Sequence, residues 1–283
     1  MNIMTLVQRI NQELTELFNT GQIANAVLPN REFAVASKAI PGYYAGNRDA
    51  ETVFVNLNPG EDVKKAEAFA KLFLANNRPH GVSSFIKQHI YAATNAGYII
   101  GNKLDHFDVK TAAFLSEWPS SGILFPNSPV NFSNVVDQII ANTNCLNQKL
   151  QLELLPYPSS NFNAVPINSS NAVVLFPFLE TILDEIFRKE RKYVIFASRK
   201  FEILFKLYNG NGNYSIQFGT KCSKHLNKNN GTTARKVNCL PITISTTGKK
   251  PQKAMIACSF PNHAYSRAYD LMRQYGKFCY INY

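Results

Sequence analysis

Thr52 to Asp62 reads TVFVNLNPGED: an apolar centre, Val53-Phe54-Val55, that breaks into Asn56-Leu57-Asn58-Pro59-Gly60 before Glu61 and Asp62. A short β-branched and aromatic run bounded by Asn, Pro and Gly predicts a buried strand ending in a turn. The next residues repeat with helical spacing, Val63, Ala66, Phe69, Ala70, Phe73 and Leu74, which predicts a helix over Glu61–Ala75. Asn58 therefore stands at the carboxyl end of a strand, where open α/β sheets hold their ligands.

The same alternation recurs along the chain. Leu150–Leu155 (LQLELL) predicts a strand that stops at Pro156-Tyr157-Pro158-Ser159-Ser160-Asn161, and an amphipathic helix follows over Ala172–Lys189. Pro177 is expected to be tolerable only near that helix's first turn. Tyr193–Ala197 predicts a strand that passes through Ser198-Arg199-Lys200 into a helix carrying Phe201, Leu204, Phe205 and Leu207. Lys253–Cys258 predicts a last strand, which ends at Ser259-Phe260-Pro261-Asn262-His263 before a helix over Tyr265–Tyr275. Repeated strand-loop-helix units imply parallel βα connections. The expectation is a single α/β domain over residues 1–283: a three-layer α/β/α sandwich around a central, mainly parallel sheet of four to five strands.

Outside these units, Leu6–Phe18 is helical with Gly21 as its stop. Ser83–Ala93, Val109–Glu117 and Ser133–Ala141 make a helical insertion over about residues 83–147. Tyr214–Phe218 and Cys239–Ile244 are strand-like, and Gly219–Lys236 is expected to be a polar, basic loop with little to bury.

A chain of 283 residues buries enough surface to fold without a staple. Its five cysteines, odd in number and irregular in spacing, suit reduced thiols better than a disulfide framework. The amino-terminal segment lacks the layout of a signal peptide, and no apolar run is long enough to span a bilayer, so a soluble, cytoplasmic protein is expected. The net charge of +11 is unevenly placed. From Ile186 onward there are 18 Lys and Arg against three acids, a local charge of +15, whereas residues 1–185 carry −4. This basic carboxyl-terminal part points to a polyanionic partner, most simply nucleic acid, because Lys and Arg gain affinity by releasing counterions from phosphates.

In a parallel sheet the four polar strand ends lie on one edge and can share one cleft. A strand into Asn-x-Asn-Pro-Gly, a second into Leu-Leu-Pro followed by Ser and Asn, and a last into a Pro/His loop before a helix resembles the uracil-DNA glycosylase superfamily. The mismatch-specific and single-strand-selective branches are the nearest likeness. The resemblance spans about Thr52–Tyr275 and implies a hydrolase that flips a damaged or deaminated base and cleaves its N-glycosidic bond, with no metal or cofactor and no obligate protein partner. It matches Asn58 and His263 to the two catalytic positions, with Asn56, Pro59, Gly60, Glu153 and Tyr157 around the base.

The chemistry agrees. Glycosidic cleavage needs a water placed beneath the sugar and a donor at the departing base. A carboxamide orients water without ionising, and an imidazole N–H stabilises a leaving anion. Three departures from the family pattern stand out. The last motif has its histidine after the proline, no Gly-rich loop with an aromatic follows Gly60, and Glu153 occupies the place of the base-reading asparagine. An ionised carboxylate accepts and does not donate, so it favours an amino group over a carbonyl. A catalytically silent nucleic-acid-binding protein on the same fold is the alternative. Ser159, Ser160 and Asn161, Ser198, Arg199 and Lys200, and Lys249 and Lys250 are the expected backbone contacts.

Other clusters read as structural. Cys222-x-x-His225 with Cys239 lacks a fourth zinc ligand. Asp108, in Asp105-His106-Phe107-Asp108, is expected as a helix cap. Tyr43 and Tyr44, after Pro41-Gly42, are the remaining candidates for base stacking.

Overall fold

A computed structural model describes residues 5–58, 62–96, 106–119, 121–123, 148–159, 162, 164–227, 233–260 and 269–283. Val53, Phe54 and Val55 form the centre of strand β2 (Thr52–Asn56), which is buried along its whole length. It lies between two parallel neighbours, β3 (Lys149–Glu153) and β4 (Tyr193–Phe196), and β8 (Gln252–Ile256) adds to β4, also parallel. These four strands are the ones the alternating pattern predicts.

The sheet is nonetheless mixed and larger than expected. Among the described residues it has eight strands in the order β1-β3-β2-β4-β8-β7-β5, with β6 paired to β7. Strand β1 (Tyr44–Gly46) runs antiparallel to β3. Strands β5 (Ser215–Phe218), β6 (Cys222–Asn227) and β7 (Thr233–Ser245) make the antiparallel side. Much of the expected basic loop over Gly219–Lys236 is thus a two-stranded ribbon. The reason is an alternation hidden among polar residues: Leu226, Val237 and Cys239 fall on one ribbon face and are buried.

Chain order sets which strand ends are the expected ligand edge. From β2 the chain winds to β3 on one side, then crosses back over β2 to reach β4 on the other. The reversal of winding falls between β2 and β4, and the carboxyl ends of strands beside such a reversal are the usual ligand position in open α/β sheets.

Alternate residues of the parallel strands enter two separate cores, as period-two geometry requires. Val53, Val55, Leu150, Leu152, Val194 and Phe196 pack with helices α1 (Leu6–Thr20), α2 (Val27–Phe33), α6 (Ser169–Ile186) and α7 (Lys200–Tyr208). Phe54, Ile195 and Met255 pack instead with α5 (His106–Leu115) and α8 (Tyr269–Ile281). Contact between α5 and α8 requires a glycine, since a Cβ on Gly276 would stand 2.0 Å from the Phe114 carbonyl oxygen. Helices α3 (Val63–Asn77) and α4 (Gly81–Tyr91) complete the described set, and no described helix is long and apolar enough to cross a membrane.

Capping follows the sequence where it was legible. Thr5 and Gln8 form a reciprocal capping box on α1, and Gly21 ends that helix with a positive φ of 76°. Asp62 caps α3, its Oδ1 accepting from Lys65 N at 3.0 Å. Pro177 departs from expectation: α6 begins at Ser169, so the proline sits in the helix interior. Pro177 and Val173, the residue whose carbonyl loses its helical donor to the proline, both lie on the exposed side of the helix. The predicted helix over Ser133–Ala141 and most of the connection around it lie outside the described residues.

Candidate functional site

The carboxyl ends of β2 and β3 carry the site. Lys149, Gln151 and Glu153 alternate along β3, so their side chains share one face with Phe54 and helix α5. All three are buried, Glu153 being 5% exposed. They form a hydrogen-bonded chain: Lys149 Nζ donates to Gln151 Oε1 at 2.7 Å, and Gln151 Nε2 donates to Glu153 Oε1 at 3.0 Å. Asn56, the register partner of Glu153, donates its Nδ2 to the same oxygen at 2.9 Å. At the inner end Lys149 Nζ lies 3.5 Å from Asp108 Oδ1. Asp108 is therefore a buried ion-pair partner within the first turn of α5, and not the expected cap.

Two buried acceptors in this cluster have no partner, Asn56 Oδ1 and Glu153 Oε2. Burial pushes the Glu153 carboxyl up to about 7, against the opposing pull of the Asn56 and Gln151 amides and of the Lys149 ammonium. The carboxyl thus titrates near neutrality at the end of a strand. Asn56 and Glu153 are brought together as expected of substrate-facing residues. Lys149, Gln151 and Asp108 were not anticipated, although a Lys and a Gln at alternate positions of a strand running into Leu-Leu-Pro are a signal for a buried polar face.

Asn58 lies just beyond β2. Its Nδ2 donates to the Ser159 carbonyl at 3.0 Å, so the amide is fixed to the loop that follows β3. That loop is held from below. Gly42 N donates to Pro156 O at 2.7 Å and Ala36 N to Pro158 O at 2.9 Å. Tyr157 is fully buried, and its hydroxyl donates to Glu13 Oε1 at 2.8 Å. Tyr43 donates to the same oxygen at 2.7 Å, and Tyr44 shares a 2.9 Å hydrogen bond with Thr94. Both tyrosines after Pro41-Gly42 are core residues, so neither offers a free ring face for stacking.

The expected backbone contacts divide. Ser159 Oγ donates to Phe33 O and accepts from Phe162 N, which ties it into the fold. Lys200 Nζ donates to the carbonyls of Phe162 and Val165, and burial lowers its pKa to about 8. Ser198 Oγ accepts from Lys200 N at 3.2 Å at the entry to α7, while Arg199 is exposed beside it. Lys249 and Lys250 correct the expectation. They precede β8, at the amino edge of the parallel strands and away from Asn58. The antiparallel return of β7 puts them there, and Lys250 pairs with exposed Glu190 at 2.7 Å. Pro59, Gly60, Ser160, Asn161 and His263 lie outside the described residues.

Neither a protein-family model, nor a curated protein, nor a solved structure matches this chain.

The basic charge has a different home. Strand β8 ends at Ile256 opposite Leu240, whereas β7 continues back to Thr233 with β6 beside it. The β6–β7 ribbon therefore extends past the carboxyl end of β8, packed through Leu226, Val237 and Cys239 against α8. Lys224, His225 and Lys236 are exposed on it. Cys222 and Cys239 face each other across the ribbon as free thiols, and among the described residues no group of three His, Cys, Asp or Glu is placed to hold a metal ion.

Proposed function

We propose that the chain is a DNA glycosylase-like hydrolase acting at the carboxyl edge of its sheet. The observation that carries this reading is the anchored Asn58 amide, two residues beyond the buried Asn56–Glu153 pair with its unpaired acceptors. An amide whose nitrogen donates to Ser159 O is held in a defined orientation, as a group that orients an attacking water must be. His263 is assigned to the departing base on the resemblance of its loop. Two cores on opposite sides of one sheet support a three-layer α/β/α sandwich of the glycosylase type. The basic β6–β7 ribbon supplies a surface for DNA phosphates.

The hydrolase reading predicts that a duplex or single strand bearing the right modified base gains an abasic site. Asn58→Ala is expected to lower that rate by a factor of about 10²–10³, the loss usual for one positioned polar group, with DNA affinity unchanged. Alkali-induced strand cleavage and a gel-shift titration measure the two quantities. No base release from uracil, hypoxanthine, xanthine or alkylated substrates would remove catalysis from the assignment.

A second reading, nucleic-acid binding without catalysis, is favoured by one feature: the exposed ribbon lysines do not depend on Asn58. Lys224→Glu with Lys236→Glu is expected to weaken nucleic-acid binding by roughly tenfold or more at 50 mM salt and to flatten its salt dependence. Anisotropy titrations at several salt concentrations check this, and unchanged slopes would exclude the ribbon as the contact.

A further inference from the structure

We propose that Cys222 and Cys239 form a redox-active dithiol that exchanges with low-molecular-weight disulfides of the glutathione type, with Cys222 as the entry thiol and Cys239 as the resolving thiol. The pair lies on the β6–β7 ribbon and takes no part in the base chemistry proposed above.

Register brings the two together. Cys222 on β6 and Cys239 on β7 stand directly opposite each other in an antiparallel pairing. Such residues point to the same face with Cα atoms about 4.5–5.5 Å apart, inside the ~4.4–6.8 Å that a disulfide spans. The two thiols are in hydrogen-bond contact, so the sulfurs already meet. Cys279 approaches Cys239 from α8 and is itself fully buried. Cys258 is turned to the backbone, its thiol donating to the Ile256 carbonyl at 3.6 Å.

Exposure and hydrogen bonding separate the roles. Cys222 is half-buried, with its Sγ 3.5 Å from the Thr220 carbonyl, whereas Cys239 is fully buried, so an oxidant enters at Cys222. The hydrogen bond from Cys279 holds the Cys239 thiol below its ordinary value against the effect of burial, and Cys222 adds to it. The thiolate is the nucleophile in exchange, so the buried sulfur is set to attack its neighbour.

The exchange balances in two steps. The Cys222 thiolate attacks one sulfur of the oxidant, whose S–S bond breaks; the first thiol leaves and takes up the proton that Cys222 lost. The Cys239 thiolate then attacks Cys222 Sγ, the mixed disulfide breaks, and the second thiol leaves with the second proton. Two electrons and two protons pass from the pair to the oxidant. Oxidation also turns the acceptor for Cys279 into a disulfide sulfur, a weak acceptor, so the thiol contact between the ribbon and α8 is what changes.

The test incubates the reduced full chain with glutathione disulfide, followed by acid quenching, blocking of free thiols and peptide mapping. Burial and the neighbouring Cys239 raise the Cys222 thiol, so the exchange is run at about pH 8.5. Trypsin cleavage after Lys221, Lys224, Lys236 and Lys249 places Cys222 and Cys239 on separate peptides. Wild type is expected to lose both thiols together and to yield the linked peptides, with no lasting glutathione adduct. Cys222→Ser is expected to leave Cys239 reduced, and Cys239→Ser to accumulate glutathione on Cys222. A stable adduct on wild-type Cys222 overturns the proposal, as does a link from Cys239 to Cys279 or oxidation of Cys239 at the wild-type rate in Cys222→Ser. The wild-type map and Cys222→Ser, at the half-exposed position, decide alone if Cys239→Ser does not fold.

Discussion

Replacing Glu13 by alanine is expected to destabilise the protein by about 3–5 kcal/mol, since two buried tyrosine hydroxyls lose their acceptor at about 1–3 kcal/mol each and a cavity is left. Glu13 is fully buried on α1, and its Oε1 accepts from the Tyr43 hydroxyl, the Tyr157 hydroxyl and the Asn25 amide. Truncation leaves the Tyr43 and Tyr157 hydroxyls in a core that cannot reach water, while the exposed Asn25 amide can turn to solvent, and opens a cavity beside them. Glu13→Gln keeps an acceptor at the same place and is expected to cost only about 1 kcal/mol. Urea denaturation midpoints of the three proteins check the ranking; an alanine variant within 1 kcal/mol of wild type would show that the network contributes little.

The effect should reach the site. Tyr157 anchors the loop after β3, and the Ser159 carbonyl of that loop holds Asn58. Under the proposed hydrolase reading, a folded Glu13→Ala protein should therefore lose base-release activity out of proportion to its lost stability at assay temperature.

The parallel centre of the fold was legible because burial on both faces produces short apolar runs, and VFV, YVIF and AMI are such runs. Asn58 was legible because a turn accounts for the proline and glycine after it but not for the amide. Glu13 had a signal that helical periodicity contains: it lies three residues after Ile10, on the stripe shared by Leu6, Leu14 and Leu17. The polar face of β3 was not legible as buried. Period two assigns Lys149, Gln151 and Glu153 to one side, but it does not say that α5 and Asp108 cover that side. Long-range placement was the other failure. Lys249 and Lys250 look like any basic pair in sequence, and only the antiparallel return of β7 sends them to the far edge. The ribbon was missed because its buried face shows in sequence only as Leu226, Val237 and Cys239, and the residues around Leu226 are mostly polar.

Stability should fall as pH rises through neutrality, and Glu153 should be a main cause. Its carboxyl has an ordinary value of 4.5 and is raised to about 7 in the fold, chiefly by burial. The folded state therefore binds a proton more tightly than the unfolded state. The stabilisation is fully present below about 4.5 and is lost as pH rises through about 7, amounting to roughly 3 kcal/mol at 1.36 kcal/mol per unit. His89 works in the opposite sense, since burial lowers it to about 4 and its neutral form is favoured as pH rises from there towards 6.5. Comparison with Glu153→Gln cancels that contribution, because the variant retains His89. The stability difference between wild type and variant, from urea melts between about pH 4.5 and 8, is expected to shift by about 3 kcal/mol against wild type. A constant difference across that range would mean that Glu153 is not held up by burial. The direction of the effect bears on function. A carboxyl retained only for packing would be better replaced by an amide or an apolar group, because at neutral pH it opposes the fold. One that weakens the fold where it ionises, with an unpaired buried oxygen at a strand end, costs stability that the proposed function, and not packing, would have to account for.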